Sequence, residues 1–368
     1  MNKPTKIYAE YVEHEAMEQF RSAMEQDYVL QGALMPDAHT GYTLPIGAVV
    51  ACDSVIVPAY VGYDIGCGMC ALPTTYDKTE VKEKAKEIFD LIYQKVPVGN
   101  NLQAKSKAAF SSLDTRNLTK DVRGIFSDRG GFHALGTLGG GNHFIELGAD
   151  NEGKVWIIIH SGSRGVGHGI ATYYMKLASG DGKAREGHFG LKIDSPSGQA
   201  YINDLAWCLQ FALENRLLMI TEVNHILEDM FDGEGLFKDL INRNHNHAEL
   251  KDGRWIHRKG ATHAELGMKG VIPGNMRDGS FIVEGLGNPE SMSSSSHGAG
   301  RVLGRAKAKA NLDLELFELE MDGIVAKVGA STLDESPGAY KDIFEVMRLQ
   351  KDLVNVITHV KPIINIKG

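Results

Sequence analysis

A chain of 368 residues, 43% hydrophobic and 23% charged, is long enough to bury a substantial core and too apolar to remain disordered. Its net charge of −8 excludes a uniformly basic nucleic-acid-binding surface, though not a local phosphate-binding face. Four cysteines are too few for a disulfide framework at this length, Met1 to Lys6 lacks the basic-then-apolar order of a signal peptide, and no apolar run approaches a membrane span, so the chain is expected to be cytoplasmic and unattached to membranes.

In chain order, Ile46 to Ala51 is short and rich in β-branched residues and reads as a buried strand, followed by a glycine-rich turn from Gly62 to Gly68. Asp77 to Val96 reads as an amphipathic helix, with Asp77 and Glu80 in capping-box spacing and Val81, Ala85, Ile88 and Ile92 on one face. A glycine-rich turn from Gly136 to Gly141, a second strand from Val155 to His160 and a turn from Gly162 to Gly169 come next. The polar Ser179 to Gly198 is expected to be an exposed excursion. Asn203 to Ile226 keeps helical spacing of Leu205, Leu209, Ala212, Leu213, Ile220 and Val223, which points to core packing and to no catalytic role. A turn from Gly274 to Gly279 then precedes a strand at Ser280 to Val283. No repeat and no Pro/Ser linker divides the chain, so the expectation is an α+β fold in which residues 1–368 form a single mixed α/β domain around a β-sheet core.

The most informative run is Ser293 to Arg301, where His297 is flanked by serines and by Gly298, Ala299 and Gly300. Small neighbours let a phosphate approach the imidazole, a neutral imidazole can attack phosphorus, and Arg301 and Arg305 are suited to forked contacts with phosphate oxygens. A serine- and glycine-rich loop with an incidental histidine explains the same letters. Arg301, Arg305, Lys307 and Lys309 stand in a stretch without acids, and Arg254, Arg258 and Lys259 form a second basic group.

Asp64 and Cys67 lie three residues apart in a glycine-flanked turn, His143 follows a triple glycine, His160 ends an apolar run, and His245 stands beside Asn246. Together they offer oxygen, sulfur and nitrogen donors suited to a first-row transition metal, and spacing does not choose between zinc and manganese. Cys67 and Cys70 also match C-x-x-C. No second such pair exists, so a four-cysteine zinc site is disfavoured and Cys70 reads as structural.

Pro36-Asp37-Ala38-His39, Gly62 to Met69, Gly139 to Phe144, His160 to Gly165, Asn244-His245-Asn246, His257 to Ala261, Ile272 to Met276 and His297 to Arg301 together resemble the RtcB RNA ligases, in the family's order, from Asp37 to Lys367-Gly368. The resemblance implies an RtcB-like fold and a GTP-dependent ligase using two Mn(II) ions. Such an enzyme joins RNA ending in a 2′,3′-cyclic phosphate or 3′-phosphate to RNA beginning with a 5′-hydroxyl. It implies that His297 takes GMP from GTP, and that Asp64, Cys67, His143, His160 and His245 are the metal ligands, with Cys67 bridging. GMP contacts are implied for Asn142, His143, Phe144, Ile145, Glu146, His245, Asn246, Pro273, Gly274, Asn275, Met276, Ser280, His297, Gly298, Ala299, Gly300 and Lys367.

Thr40 and Thr43 stand where the family often has Pro and Gly, and Gly304 where Ser is common. The compact length resembles the branch associated with an unusual peptide-chain release factor. That makes damaged ribosomal or transfer RNA, rather than tRNA halves from splicing, the expected substrate, and a release-factor-like protein an expected partner. Two other functions compete: a metal-dependent phosphoesterase that opens a cyclic phosphate and stops, and a noncatalytic RNA-repair adaptor using the two basic groups.

Overall fold

The computed structural model describes residues 3–368, which build two main sheets and a long central helix in a mixed α+β architecture. The larger sheet runs in the order Lys269–Pro273, Ser280–Gly285, Val354–Lys367, Phe144–Ala149, Val155–Ser161, Gly68–Pro73 and Ile241–Asn244. These neighbours are all antiparallel, and Val325–Ala326 adds in parallel to the long C-terminal strand. The smaller sheet runs Thr5–Ile7, Val29–His39, Ile46–Cys52, Arg254–Lys259 and Asn246–Lys251. The strands Val155–Ser161 and Gly68–Pro73 are buried throughout, which explains why the first reads as a continuous apolar run and not as an alternating one.

The chain changes sheet at functionally expected places. Ile241–Asn244 belongs to the larger sheet and Asn246–Lys251 to the smaller, so His245 is the single residue at the crossing. Gly260, at φ +61°, separates Arg254–Lys259 from Ala261–His263, and this last strand pairs antiparallel with Ser294–Ser296. A Cβ on Gly260 would lie 2.3 Å from Ile46 Cγ2 and 3.1 Å from His297 Cε1, so only glycine permits this crossing.

The three strands expected from sequence are present, each slightly longer, as Ile46–Cys52, Val155–Ser161 and Ser280–Gly285. Four expectations need correction. Asp77 to Val96 forms two helices, Lys78–Glu83 and Ala85–Lys95, broken at Lys84. Asp77 caps the first through the backbone N–H groups of Thr79 and Glu80, and the apolar face runs across the break with Val81, Ala85, Ile88 and Ile92 all buried, so the break leaves the packing surface intact.

Gly162 to Gly169 is a turn only at its start, because Arg164–Ser179 is helical. Its glycines serve close packing: a Cβ on Gly167 would lie 1.8 Å from Ser163 Oγ, and one on Gly169 2.5 Å from Ile125 Cγ2. The helix read at Asn203 to Ile226 extends over 35 residues, Pro196–Met230, capped by Ser195 Oγ accepting from the Gly198 N–H. It therefore takes in the end of the expected excursion. The rest of that excursion is tied down, since Leu191–Lys192 pairs with Val55–Ile56, and the His188 ring bonds Tyr60 and Ser22 while its carbonyl accepts from Tyr28. Finally, Ser294–Ser296 is a buried strand and not a loop, so His297 emerges from a fixed element.

Candidate active site

Cys67, His143, His160 and His245 are all buried and meet where four strand ends converge, with partly exposed Asp64 beside them. Cys67 Sγ lies 3.4 Å from His143 Nε2 and 3.2 Å from His160 Nε2. Asp64 Oδ2 is 3.1 Å from His143 Nε2, and the Nε2 atoms of His160 and His245 are 3.3 Å apart. Two groups follow, Asp64–Cys67–His143 and Cys67–His160–His245, with the cysteine common to both.

The tautomers are fixed from behind. His143 Nδ1 donates to Leu138 O at 3.0 Å and His160 Nδ1 to Asn142 O at 3.1 Å, so each Nε2 presents a lone pair to the centre. Burial, then the neighbouring histidines, hold His160 and His245 neutral, well below the ordinary histidine value. Burial followed by the Asp64 charge pushes the Cys67 thiol well up. Such a concentration of lone pairs around one thiol fits a site built for cations, which reverse that preference and draw off the proton.

The long helix, read from sequence as core alone, supplies the frame of this centre. Arg216 is fully buried and donates to Gly66 O, Ser161 O, Asn242 Oδ1 and Asn244 Oδ1, which joins the backbone beside Cys67, His160 and His245. Asn215 donates from the preceding position to Thr137 O, Ser161 Oγ and Gly162 O. Cys70 lies in the aliphatic core with Leu72, Ile145 and Ile159 and belongs to neither ligand group, which fits its reading as structural.

His297 stands next to this centre, its ring centroid 4.8 Å from that of His245. Its Nδ1 donates to Asp37 Oδ2 at 2.6 Å and its backbone N–H to the same oxygen at 3.2 Å, which directs the Nε2 lone pair away from Asp37. Burial works to raise Asp37, yet the facing His297 holds its carboxyl below the ordinary value. Gly300, at φ +78°, lets the following turn close on Asp37, whose carbonyl would sit 2.3 Å from a Cβ there. Asp37 is separated from His297 by 260 positions and was visible in sequence only as part of a motif.

His297 opens on a cavity of about 310 Å³, at the lower end of the range for small-molecule sites. Of the residues expected around a nucleotide, Asn142, Phe144, Glu146, Pro273, Gly274, Asn275, Met276, Gly298, Ala299, Gly300 and Lys367 line it. Others stand one layer behind: Ile145 packs in the core, Ser280 Oγ donates to Glu146 at 3.1 Å, and Asn246 spends its amide on Asp64 O and the Gly260 N–H. His143 and His245 belong to the histidine–thiol centre at the cavity's edge. Burial pushes Glu146 up to about 8, against the opposing pull of Ser280, Asn365 and Lys367.

The basic groups differ from their sequence reading. Arg301, Arg305 and Lys309 are paired with Asp334 and Glu335. Arg258 and Lys259 are buried, so they present no basic surface. Arg258 instead supplies the cation of a third cluster, His247, Glu249 and His263: it pairs with Glu249 and donates to His247 Nε2 at 3.1 Å. The two rings of that cluster stack at 17°, so their lone pairs do not converge on one ion. The same guanidinium donates to Ser294 Oγ and Met292 O, bracing the strand that leads to His297.

A centre of convergent candidate ligand atoms beside an oriented imidazole, opening on a cavity, is an arrangement suited to group transfer. Residues 19–368 match the family described as tRNA-splicing ligase RtcB. The chain is 36% identical to the RNA-splicing ligase RtcB1 of Escherichia coli, over all of this chain and 98% of the relative. It is 30% identical to the tRNA-splicing ligase RtcB of Aeropyrum pernix, over all of this chain and 96% of the relative. The chain belongs to the RtcB family of RNA ligases.

Proposed function

We propose that residues 1–368 form one catalytic unit that joins RNA ending in a 3′-phosphate, or in a 2′,3′-cyclic phosphate once opened, to RNA beginning with a 5′-hydroxyl, with GTP as energy source. The observation that carries this reading is the His297 imidazole, held by Asp37 through Nδ1 and facing a cavity that also holds the Glu146 carboxylate and the Lys367 ammonium. Nε2 attacks the α-phosphorus of GTP and pyrophosphate leaves; an oxygen of the RNA 3′-phosphate attacks the same phosphorus and takes GMP from His297; the 5′-hydroxyl, losing its proton, then attacks the phosphorus of the RNA 3′-phosphate and GMP departs. In the first step Asp37 stabilises the positive charge that develops on the imidazole.

Asp64, Cys67 and His143 would hold one Mn(II), and Cys67, His160 and His245 a second. The ions supply charge that offsets the phosphate oxygens on entry and departure. At the other end of the cavity, Glu146 suits the N1–H and exocyclic amine of guanine as an acceptor, and Lys367 is a donor for its carbonyl and N7. Arg305 keeps Nε and Nη2 clear of its acid partners and is suited to the RNA phosphate, whereas Arg301 spends every nitrogen on the protein.

Repair of damaged ribosomal or transfer RNA in the cytoplasm, with a release-factor-like partner, belongs to the same reading. No helix of the described residues is long and apolar enough to cross a membrane. Incubation with α-labelled GTP and manganese followed by denaturing electrophoresis tests the proposal: label retained on the wild-type chain supports a ligase. Cyclic-phosphate opening with no retained label would replace it with the phosphoesterase.

A further inference from the structure

Glu335 is 3% exposed and lies in a segment that carries no motif. Its two oxygens divide four donors between them. Oε1 accepts from Arg301 Nη1 at 3.1 Å and Arg305 Nη1 at 2.5 Å; Oε2 accepts from Tyr340 OH at 2.5 Å and Lys367 Nζ at 2.9 Å. All four donors line the cavity that His297 faces.

The donors come from distant parts of the chain. Arg301 ends the turn after His297, Arg305 starts the helix Arg305–Asn311, and Lys367 closes the C-terminal strand. Lys367 stands over the Phe144 ring at 5.1 Å, on the same pair of strands as Glu146 and Asn365, which is the end read here as binding the base. Arg301 and Arg305 occupy the side of the nucleophile. One carboxylate therefore ties both ends of the cavity together.

We infer that Glu335 is the positioning residue of the cavity, holding Lys367 at the base end and Arg301 and Arg305 on the side of the nucleophile, so that the donors that Lys367 and Arg305 keep free are in place before the nucleotide and the RNA phosphate arrive. Flexible cations would have to be ordered by the ligand, at a cost to affinity that this carboxylate removes beforehand. Burial works to raise Glu335, but Lys367 and then Arg305 override it and hold the carboxyl down to about 2, so the clamp stays charged across the working range. Asp334 assists by accepting from Arg305 at 2.8 Å and pairing with Lys309 at 3.4 Å.

The inference rests on the GTP reading above, and one experiment separates them. His297 guanylylation is measured with α-labelled GTP over a range of GTP concentrations in the wild type, Glu335→Gln, Lys367→Ala and the double variant. For Glu335→Gln the GTP concentration for half-maximal labelling should rise about tenfold or more, as expected for a lost charge-assisted contact, while the rate at saturating GTP stays within about threefold. Lys367→Ala should cost much less in the Glu335→Gln background than in the wild type, because its ammonium is no longer held. An unchanged or lower half-maximal concentration, or fully additive effects, would overturn the inference. Glu335→Asp, which keeps the charge but cannot span all four donors, should shift the same parameter by less, and provides the measurement if the glutamine variant does not fold. A wild-type chain that takes no label at all would remove the GTP reading itself.

Discussion

The two ends of the cavity are held by different physics. At the histidine–thiol centre backbone carbonyls take the far nitrogens of His143 and His160, and the buried Arg216 ties the adjacent strand ends through their carbonyls. Across the rest of the cavity charges hold one another, with Arg301 and Arg305 on the side of the nucleophile and Lys367 at the base end converging on Glu335. On the proposed function, a centre that accepts ions gains from ligands whose positions do not depend on charge, and a surface that recognises a charged nucleotide gains from cations aligned before it arrives. Substitutions at the first end should therefore act on metal binding and chemistry, and those at the second on nucleotide capture.

The largest effect is expected where the two ends meet. His297→Ala should abolish covalent GMP transfer with little loss of fold, because the ring is partly open to the cavity and its neighbours are small. Asp37→Asn should slow transfer by about 10³ to 10⁴, by analogy with loss of the carboxylate that orients a catalytic histidine. Mass spectrometry of the labelled chain checks both, and a guanylate adduct on any other residue would displace His297 from its role.

Next in size, Cys67→Ser should weaken metal binding by more than the roughly 10- to 100-fold expected when a merely supporting partner is lost, since one sulfur serves both ligand groups. Cys70→Ser should leave metal binding close to wild type. Metal titration followed by calorimetry separates the two, and equal losses would return Cys70 to the ligand shell.

At the nucleotide end, Glu146 gives a pH-dependent signature. Its folded value of about 8 lies above its ordinary 4.5, so the folded chain holds a proton that the unfolded chain releases. The stabilisation from this group is fully present below 4.5 and is lost as pH rises through 8. Nucleotide-free protein should accordingly lose thermal stability over that interval, and Glu146→Gln should lose less of it. Guanine donors favour the ionised form, so GTP binding should tighten several-fold between pH 7 and 8.5 in the wild type and stay flat in Glu146→Gln. Parallel pH profiles of the two proteins would contradict this assignment.

The C-terminus separates the two ends in neighbouring residues. Lys367→Ala should raise the GTP requirement about tenfold, within the range of one charge-assisted contact, and leave metal binding unchanged. Removing Gly368 alone should instead disturb the centre slightly, because its N–H donates to the carbonyl of His143 at 3.1 Å. Titrations of GTP and metal on each variant show whether the two terminal residues divide in this way.

The same contrast explains what was legible in the sequence. The ligands and the nucleophile sit in short glycine-flanked motifs, because backbone must approach closely there, and local spacing records that need. Asp37, Arg216 and Glu335 act across 260, 150 and 30 or more positions respectively, and nothing near them in sequence marks their partners. Arg216 was hidden further by a helix whose apolar spacing accounts for it as core. The basic run at Arg301 to Lys309 read as a phosphate surface because its acids, Asp334 and Glu335, come from a different segment. The strands were legible from composition, whereas the helix at Arg164 was masked by glycines that serve packing and not turning.

The most direct test of the account is joining of defined RNA ends. With GTP and manganese, a 3′-phosphate or 2′,3′-cyclic phosphate strand and a 5′-hydroxyl strand should yield a ligated product on a denaturing gel, lost in His297→Ala, while a 3′-hydroxyl and a 5′-phosphate should remain separate. Joining of the opposite ends, or ligation indifferent to GTP and to His297, would contradict it.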